Sequence, residues 1–290
     1  MCSQRKYCGR VFSAAELEGI RRLIAGHAGA NRAQLSRLVC EHVGWRRIDG
    51  GLKEMSCRVA MLRMQNDGLV VLPAPRTRNG NGKVYRRRTA MAEPELMEVS
   101  EPVEGLDDLR LELVDNRKSS HLWNEYVERY HYLGYQPLPG AQLRYFARAG
   151  GQVLALLGFG AAAWMTAPRD HFIGWTDEQR RARLHLVVNN HRFLILPWVH
   201  SRNLASMVLA MSSRRLAEDW QRRYGYSPVL LETFVEIPRF LGTCYKAANW
   251  QRLGETTGRG KLEKSQTEKL PKKAVWVFPL IRDFRLTLCA

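Results

Sequence analysis

No stretch of the chain is long and apolar enough to span a bilayer, and neither a signal-peptide core nor a lipidation motif is present. A membrane location is therefore not expected. No two cysteines stand in C-x-x-C spacing; the six lie at 2, 8, 40, 57, 244 and 289. That spacing gives no support to a zinc knuckle and leaves reduced thiols, as in a cytoplasmic protein. His131, His171, His185, His191 and His200 form no metal-site spacing either. Acidic residues are outnumbered: 28 Asp and Glu face 45 Lys and Arg, for a net charge of +17. A surplus of that size favours a polyanionic partner, most simply nucleic acid.

What is present suits a soluble two-domain protein: 290 residues, 45% hydrophobic and 25% charged. Residues 1–88 are expected to form a winged helix-turn-helix-like module. Ser13 with Glu16 makes a capping box ahead of Leu17, Ile20 and Ile24, and Asn31 with Gln34 opens a second helix the same way. A third helix carries Met55, Val59 and Leu62 on its expected core face, leaving Lys53, Arg58 and Arg63 for solvent or phosphate. Leu69 to Leu72 reads as a short strand. The stretch from Arg76 to Arg88 holds an Asn-Gly-Asn-Gly turn flanked by Arg76, Arg78, Lys83, Arg86, Arg87 and Arg88. A basic hairpin of that kind could lie along a DNA backbone while the third helix enters a groove.

The charge reverses next. No Lys or Arg occurs from Thr89 to Asp108, where seven acidic residues and two prolines lie. Residues 89–110 are expected to be a solvated acidic linker. Residues 111–290 then alternate helical and strand-like patterns, as an α/β layer does. A helix is expected near Ser119 to Arg129, paired strands on either side of Gly150-Gly151, and a charged helix from Thr176 to His185. The region from Phe193 to Glu255 organises the rest. It comprises an apolar strand, Phe193 to Val199; a helix from Leu204; a second strand at Val229 to Leu231; and a short helix turning into a strand between Gly242 and Gly254. The basic loop from Gly258 to Lys273, with Arg259 and Lys261, is a candidate phosphate clamp.

Several words in one order carry a resemblance: HYLGY (131–135), LGFGAAAW (157–164), PRDHFIGW (168–175), NNHRFLILPWV (189–199), NLAS (203–206), LLETFV (230–235), GTCYKAANW (242–250) and WVFPL (276–280). Over roughly residues 110–285 the chain resembles the DruA family, named for a component of Druantia anti-phage systems. The resemblance implies DNA work and leaves the reaction open. It gives the expectation of a recombinase or transposase acting on DNA as a homodimer or higher oligomer, with a non-catalytic DNA-recognition subunit of a defence system as the alternative. The element order also resembles the N-acetyltransferase superfamily, so the expected C-terminal fold is an acetyltransferase-like mixed-sheet α/β domain. That resemblance implies a coenzyme A pyrophosphate loop before Leu204 and places Tyr245 at the position of a tyrosine general acid. The loop, His200 to Ser206, has no glycine to let the backbone approach a pyrophosphate. Coenzyme A is accordingly not expected, although an acetyltransferase-like modifying enzyme remains a third reading.

For strand cleavage, Tyr245 is the candidate nucleophile, with His131, Arg192 and Lys246 as flanking cations. The competing arrangement uses Asp170 and Glu232 as ligands of Mg2+; the same carboxylates could instead pair with Arg169 and Arg192. Asn203, directly before a helix, is expected to cap it.

Overall fold

The computed structural model describes residues 5–48, 50–76, 88–94, 98–258 and 271–290. The chain divides into two compact units, Met1–Lys83 and Val84–Ala290.

In the first unit a short ribbon, β1 (Arg5–Tyr7) with β2 (Arg10–Phe12), precedes three helices: α1 (Ala14–Gly26), α2 (Arg32–His42) and α3 (Glu54–Asn66). Both expected capping boxes form. Ser13 Oγ accepts from Glu16 N while Glu16 accepts from Ser13 N, and Asn31 and Gln34 do the same. Phe12, Ile20, Leu35, Val39, Trp45, Cys57, Met61 and Met64 make the core. The face of α3 differs from expectation. Cys57, Ala60, Met61 and Met64 turn inward, whereas Met55, Val59 and Leu62 are exposed. The helix carries two apolar stripes, and the one with the smaller residues, Cys57 and Ala60, allows close packing. Val70 and Leu72 are buried, but Leu69 to Leu72 pairs with no strand among the described residues.

The second unit is a seven-stranded mixed sheet in the order β3 (Arg110–Leu113), β4 (Gln142–Ala149), β5 (Gln152–Ala161), β6 (Val187–Ile195), β7 (Leu230–Glu236), β9 (Lys273–Pro279) and β8 (Gln251–Glu255). Every neighbouring pair is antiparallel except β6 with β7. The parallel pair demands a crossover, supplied by the 21-residue α7 (Leu204–Tyr224). Its Val208, Leu209, Leu216 and Trp220 are buried, at helical spacing, and Gly225 stops it in the left-handed conformation. Residues Val153 to Gly160 of β5 are buried without alternation, as befits an interior strand covered on both faces. Helix α4 (Arg117–Tyr130), capped by Asn116, buries Trp123, Tyr126 and Val127. The remaining helices are short: α5 (Ala167–Ile173), α6 (Asp177–Arg183), α8 (Thr243–Ala247) and α9 (Phe284–Leu288).

The described part of the expected linker belongs to this second unit. Thr89 N and Oγ donate to the buried carboxylate of Glu125, Ala92 and Val103 are buried, and Val99 bridges Val199. Val103 N also donates to Arg202 O. The acidic composition reflects the exposed residues of a segment whose apolar ones are anchored.

Candidate functional site

Strands β6 and β7 start paired and then part. Only Val187, Val188 and Asn189 find parallel partners, in Leu230, Leu231 and Glu232. Side chains close the fork where the ladder stops. Thr233 Oγ donates to Asn190 O at 2.9 Å, and Tyr245 Oη donates to Asn190 Oδ1 at 2.7 Å. Asn190 Nδ2 in turn donates to the carbonyls of Gly158 and Arg192, each at 3.1 Å. Those bonds stitch a bulge: Gly158 opposes Arg192 and Phe159 opposes Asn190, so His191 is the extra residue. A bulge re-aims its side chain, and this one lays the His191 ring where a Cβ on Gly158 would come within 2.7 Å of it.

Beyond the fork lies a cavity of about 610 Å³. It is bounded by β6 from Asn189 to Ile195, β7 from Thr233 to Glu236, the segment Arg239 to Tyr245, the turn after α4 and Ala205 in the first turn of α7. Asn189 Oδ1 and both ring nitrogens of His191 are buried with no hydrogen-bond partner among the described residues, and both residues line this cavity. Burial, reinforced by Arg192, Arg144 and His131, lowers His191 to about 3. Burial, with Arg192 and Arg239 nearby, lowers His131 to about 4. Both imidazoles are neutral at physiological pH. Burial raises the Tyr245 phenol, so it stays protonated.

The loop entering α7 matters as much. Asn203 takes φ 63° and ψ −5°, the left-handed conformation in which glycine is usual and asparagine is the commonest substitute. Its side chain makes no cap bond, so the expected capping role is corrected: Asn203 contributes its backbone shape. The first-turn amides of α7 are left to other partners. Ser201 Oγ, just before them, is also buried and unpartnered among the described residues.

The other proposed catalytic groups lie elsewhere. Glu232 is fully buried; its Oε2 accepts from Arg169 Nη1 at 2.7 Å and its Oε1 from Ala163 N at 2.7 Å. Asp170 accepts from Arg169 Nε and Nη2, Thr166 N and Trp175 Nε1. Both carboxylates are thus bound to one buried arginine, the ion-pair alternative to the Mg2+ arrangement. No cluster of three or more His, Cys, Asp or Glu among the described residues could hold a metal ion. His131 and Arg192 line the cavity with Tyr245. Lys246 is exposed on α8. Of the proposed DNA contacts, Lys53 and Arg63 are exposed and Arg58 half-buried on α3, while Arg76 and Arg88 are exposed. Arg78, Lys83, Arg86, Arg87, Arg259 and Lys261 lie outside the described residues, as do most of the expected hairpin and basic loop. Sequence reasoning missed Asn190, Thr233 and His191 as the fork. The signal was the run Asn189-Asn190-His191-Arg192, which is too polar to suit an interior strand unless the strand faces a cavity.

Residues 63–268 match the family model described as "Druantia protein DruA". The chain belongs to that family. No curated protein matches it. Among solved structures it is similar to a Bacillus subtilis acetyltransferase in complex with CoA, at 10% identity and TM-score 0.33, over 60% of this chain and 100% of that one. It is also similar to a Drosophila melanogaster polyamine N-acetyltransferase at 12% identity and TM-score 0.37, over 59% of this chain and 100% of that one. A Streptococcus pneumoniae acetyltransferase of the GNAT family matches at 12% identity and TM-score 0.37, over 59% of this chain and 99% of that one.

Three expectations are corrected. The reading as a DNA recombinase or transposase is withdrawn, and the geometry gives the physical reason. Tyr245, only 6% exposed, has its hydroxyl committed to Asn190, and both carboxylates are spent on Arg169. The winged-helix reading is withdrawn to a ribbon and three helices, since α3 exposes Met55, Val59 and Leu62 beside its cations. The exclusion of coenzyme A is withdrawn too: it rested on the missing glycine, and Asn203 takes the left-handed backbone turn for which a glycine was thought necessary. No helix among the described residues is long and apolar enough to cross a membrane.

Proposed function

We propose that this member of the DruA family binds an acyl-coenzyme A between β6 and β7 and is an acetyltransferase-like modifying enzyme. The observation that carries the reading is the fork itself. A parallel pair is held for three residues, is closed by Asn190, Thr233 and Tyr245, and then parts around a 610 Å³ cavity that reaches the first turn of α7. The element order, resembling the acetyltransferase superfamily, agrees with it.

The residues fit the cofactor. Helix α7 is long, has no side-chain cap and starts from a left-handed Asn203; Leu204 N donates to Ser201 O and Met207 N to Asn203 O, which leaves the amides of Ala205 and Ser206 to meet a pyrophosphate. Ala205, small and cavity-lining, leaves room there. Among the described residues the edge of β6 beyond Asn190 has no strand partner on its β7 side, so its backbone groups can hydrogen-bond an amide-bearing arm. Bound coenzyme would supply a thioester-activated acyl group. Tyr245, kept protonated by burial, donates to Asn190 Oδ1 and so holds that side chain in place at the cavity wall. His191, neutral and with two unpartnered nitrogens, accepts a hydrogen bond from the incoming group.

Arg192, Arg239 and Lys273 line the same cavity against one acid, Glu236. That balance repels a polyamine and favours a neutral or anionic acceptor.

Calorimetric titration with coenzyme A and acetyl-coenzyme A tests the reading. The wild type should bind, and Ala205→Leu, which fills the space at the α7 first turn, should weaken binding by on the order of tenfold or more, as one lost charge-assisted contact does. A wild type that binds neither compound sinks the proposal.

A further inference from the structure

We propose that the cavity mouth formed by His131, Tyr132, Arg239 and Phe240 seats a nucleotide unit, a planar base carrying phosphate. This goes beyond acyl transfer and stands on the chemistry of the mouth itself.

The first observation is a preassembled stack. The His131 and Tyr132 rings lie 4.8 Å apart at 26°, and Phe240 approaches Tyr132 at 5.3 Å. The Arg239 guanidinium carbon is 4.4 Å from the Tyr132 centroid and 5.6 Å from that of Phe240. Tyr132 is 36% exposed and Phe240 46%, so the cluster faces solvent at the entrance to the cavity. Exposed large aromatics clustered beside a stacked guanidinium mark a surface for recognition of a flat group. Successive bases are held on platforms of this composition.

The second observation is unbalanced charge. Arg239 has no carboxylate partner among the described residues. Among the described residues, Arg192 donates to the main-chain carbonyls of Gly134 and His191 and to no carboxylate. Lys273 lies on the same lining, where Glu236 is the single acid. The field of Arg192 and Arg239 adds to burial in depressing His131. Unpaired cations around a half-enclosed volume call for an anion, and a phosphate beside a stacked base meets both demands. A polyamine fails the charge requirement, and an aliphatic acid fails the stacking one.

The test titrates full-length protein with 5′-mononucleotides (AMP, GMP, CMP, UMP), and separately with short single-stranded oligonucleotides and with coenzyme A. The wild type should bind mononucleotides. Phe240→Ala and Arg239→Ala should each weaken them about fivefold or more, the size of one lost stacking contact. Both side chains are exposed, so an unchanged thermal melt shows that the fold is intact. Arg239→Lys, which keeps charge without the flat face, should recover only part of the loss. Tighter binding of oligonucleotides identifies a strand as the source; equal binding identifies the free nucleotide. Absence of nucleotide binding, or indifference to both alanine substitutions, overturns the proposal. So does an equal loss of coenzyme A affinity in those variants, because the mouth would then hold the cofactor's own adenosine. Nucleotide binding without coenzyme A binding keeps this inference and removes the acyl-transfer reading instead.

Discussion

From Val187 to Asn189, β6 is laddered to β7; beyond Asn190 it is not. The two halves treat polar atoms in opposite ways. In the paired half, Glu232 is fully buried, and each of its oxygens has a donor within 2.7 Å. Arg169, equally buried, meets Glu232, Asp170 and Ala163 O. From the last paired residue onward, Asn189 Oδ1 and both His191 nitrogens have no partner among the described residues. Buried polar atoms are normally satisfied, so a satisfied network marks structure and an unsatisfied one marks a place for a ligand. The carboxylates that look most catalytic in the sequence are spent on Arg169, while the cavity wall carries the unpartnered atoms of an asparagine and a histidine.

The sharpest way to break this contrast is to remove one member of the sealed network. Glu232→Ala strands Ala163 N and leaves Asp170 as the one carboxylate on Arg169 among the described residues, and should cost about 2–4 kcal/mol in urea unfolding. A loss below about 1 kcal/mol would mean that water reaches Arg169 and that this half is not sealed. A smaller effect comes from crowding the open half. Gly158→Ala would place its Cβ 2.7 Å from His191 Cε1 and 3.1 Å from Trp123. Overpacking of that kind costs about 1–3 kcal/mol. Because the displaced ring lines the cavity, coenzyme A binding should weaken along with stability. A destabilised variant with unchanged binding would place His191 outside the functional cleft.

Acid offers a milder probe. His131 and His191 are depressed to about 4 and about 3 in the folded protein, against 6.5 ordinarily. The unfolded chain therefore binds more protons between pH 6.5 and these values, so stability falls as pH drops through that window. Glu232, raised by burial, acts in the other direction at the acid end. The informative quantity is a difference: His191→Gln should show a shallower loss of melting temperature between pH 6.5 and 4 than wild type. Parallel slopes would mean that water already reaches the His191 ring.

How much of this was legible follows from what each pattern depends on. Capping boxes are local, so Ser13 with Glu16 and Asn31 with Gln34 form as the spacing implies. The 3.6-residue repeat of Leu204, Val208 and Leu216 marks α7, and the apolar runs mark β7 and β9. Helix α3 was misoriented because Met55-Val59-Leu62 and Cys57-Met61-Met64 share one periodicity, and only packing chooses between them. The start of β6 was hidden because Asn189 to Arg192 carries a bulge and faces a cavity, neither of which leaves an alternating apolar pattern. Glu232 and Asp170 were given Arg169 and Arg192 as one alternative to Mg2+; both meet Arg169 and neither meets Arg192, because whether carboxylates find a cation or a metal depends on tertiary placement.

Asn203 gives the finest test, because two explanations of one residue separate cleanly there. An asparagine ahead of a helix ordinarily acts through its side chain, and replacing it costs about 0.5–2 kcal/mol whichever apolar residue follows, though only a few tenths for glycine. Here the side chain makes no cap bond and the backbone sits at φ 63°. Asn203→Gly should therefore leave both stability and coenzyme A affinity within experimental error of wild type, since glycine adopts that conformation freely. Asn203→Ala should cost about 1 kcal/mol through left-handed strain alone. The alanine loss should then vanish in urea melts of a variant carrying a D-amino acid at 203, made by ligation, because D-alanine prefers positive φ and has no capping oxygen. Recovery by D-alanine assigns the cost to backbone shape. A loss that persists assigns it to the amide side chain, and the loop would then owe its geometry to a bond the fold does not hold.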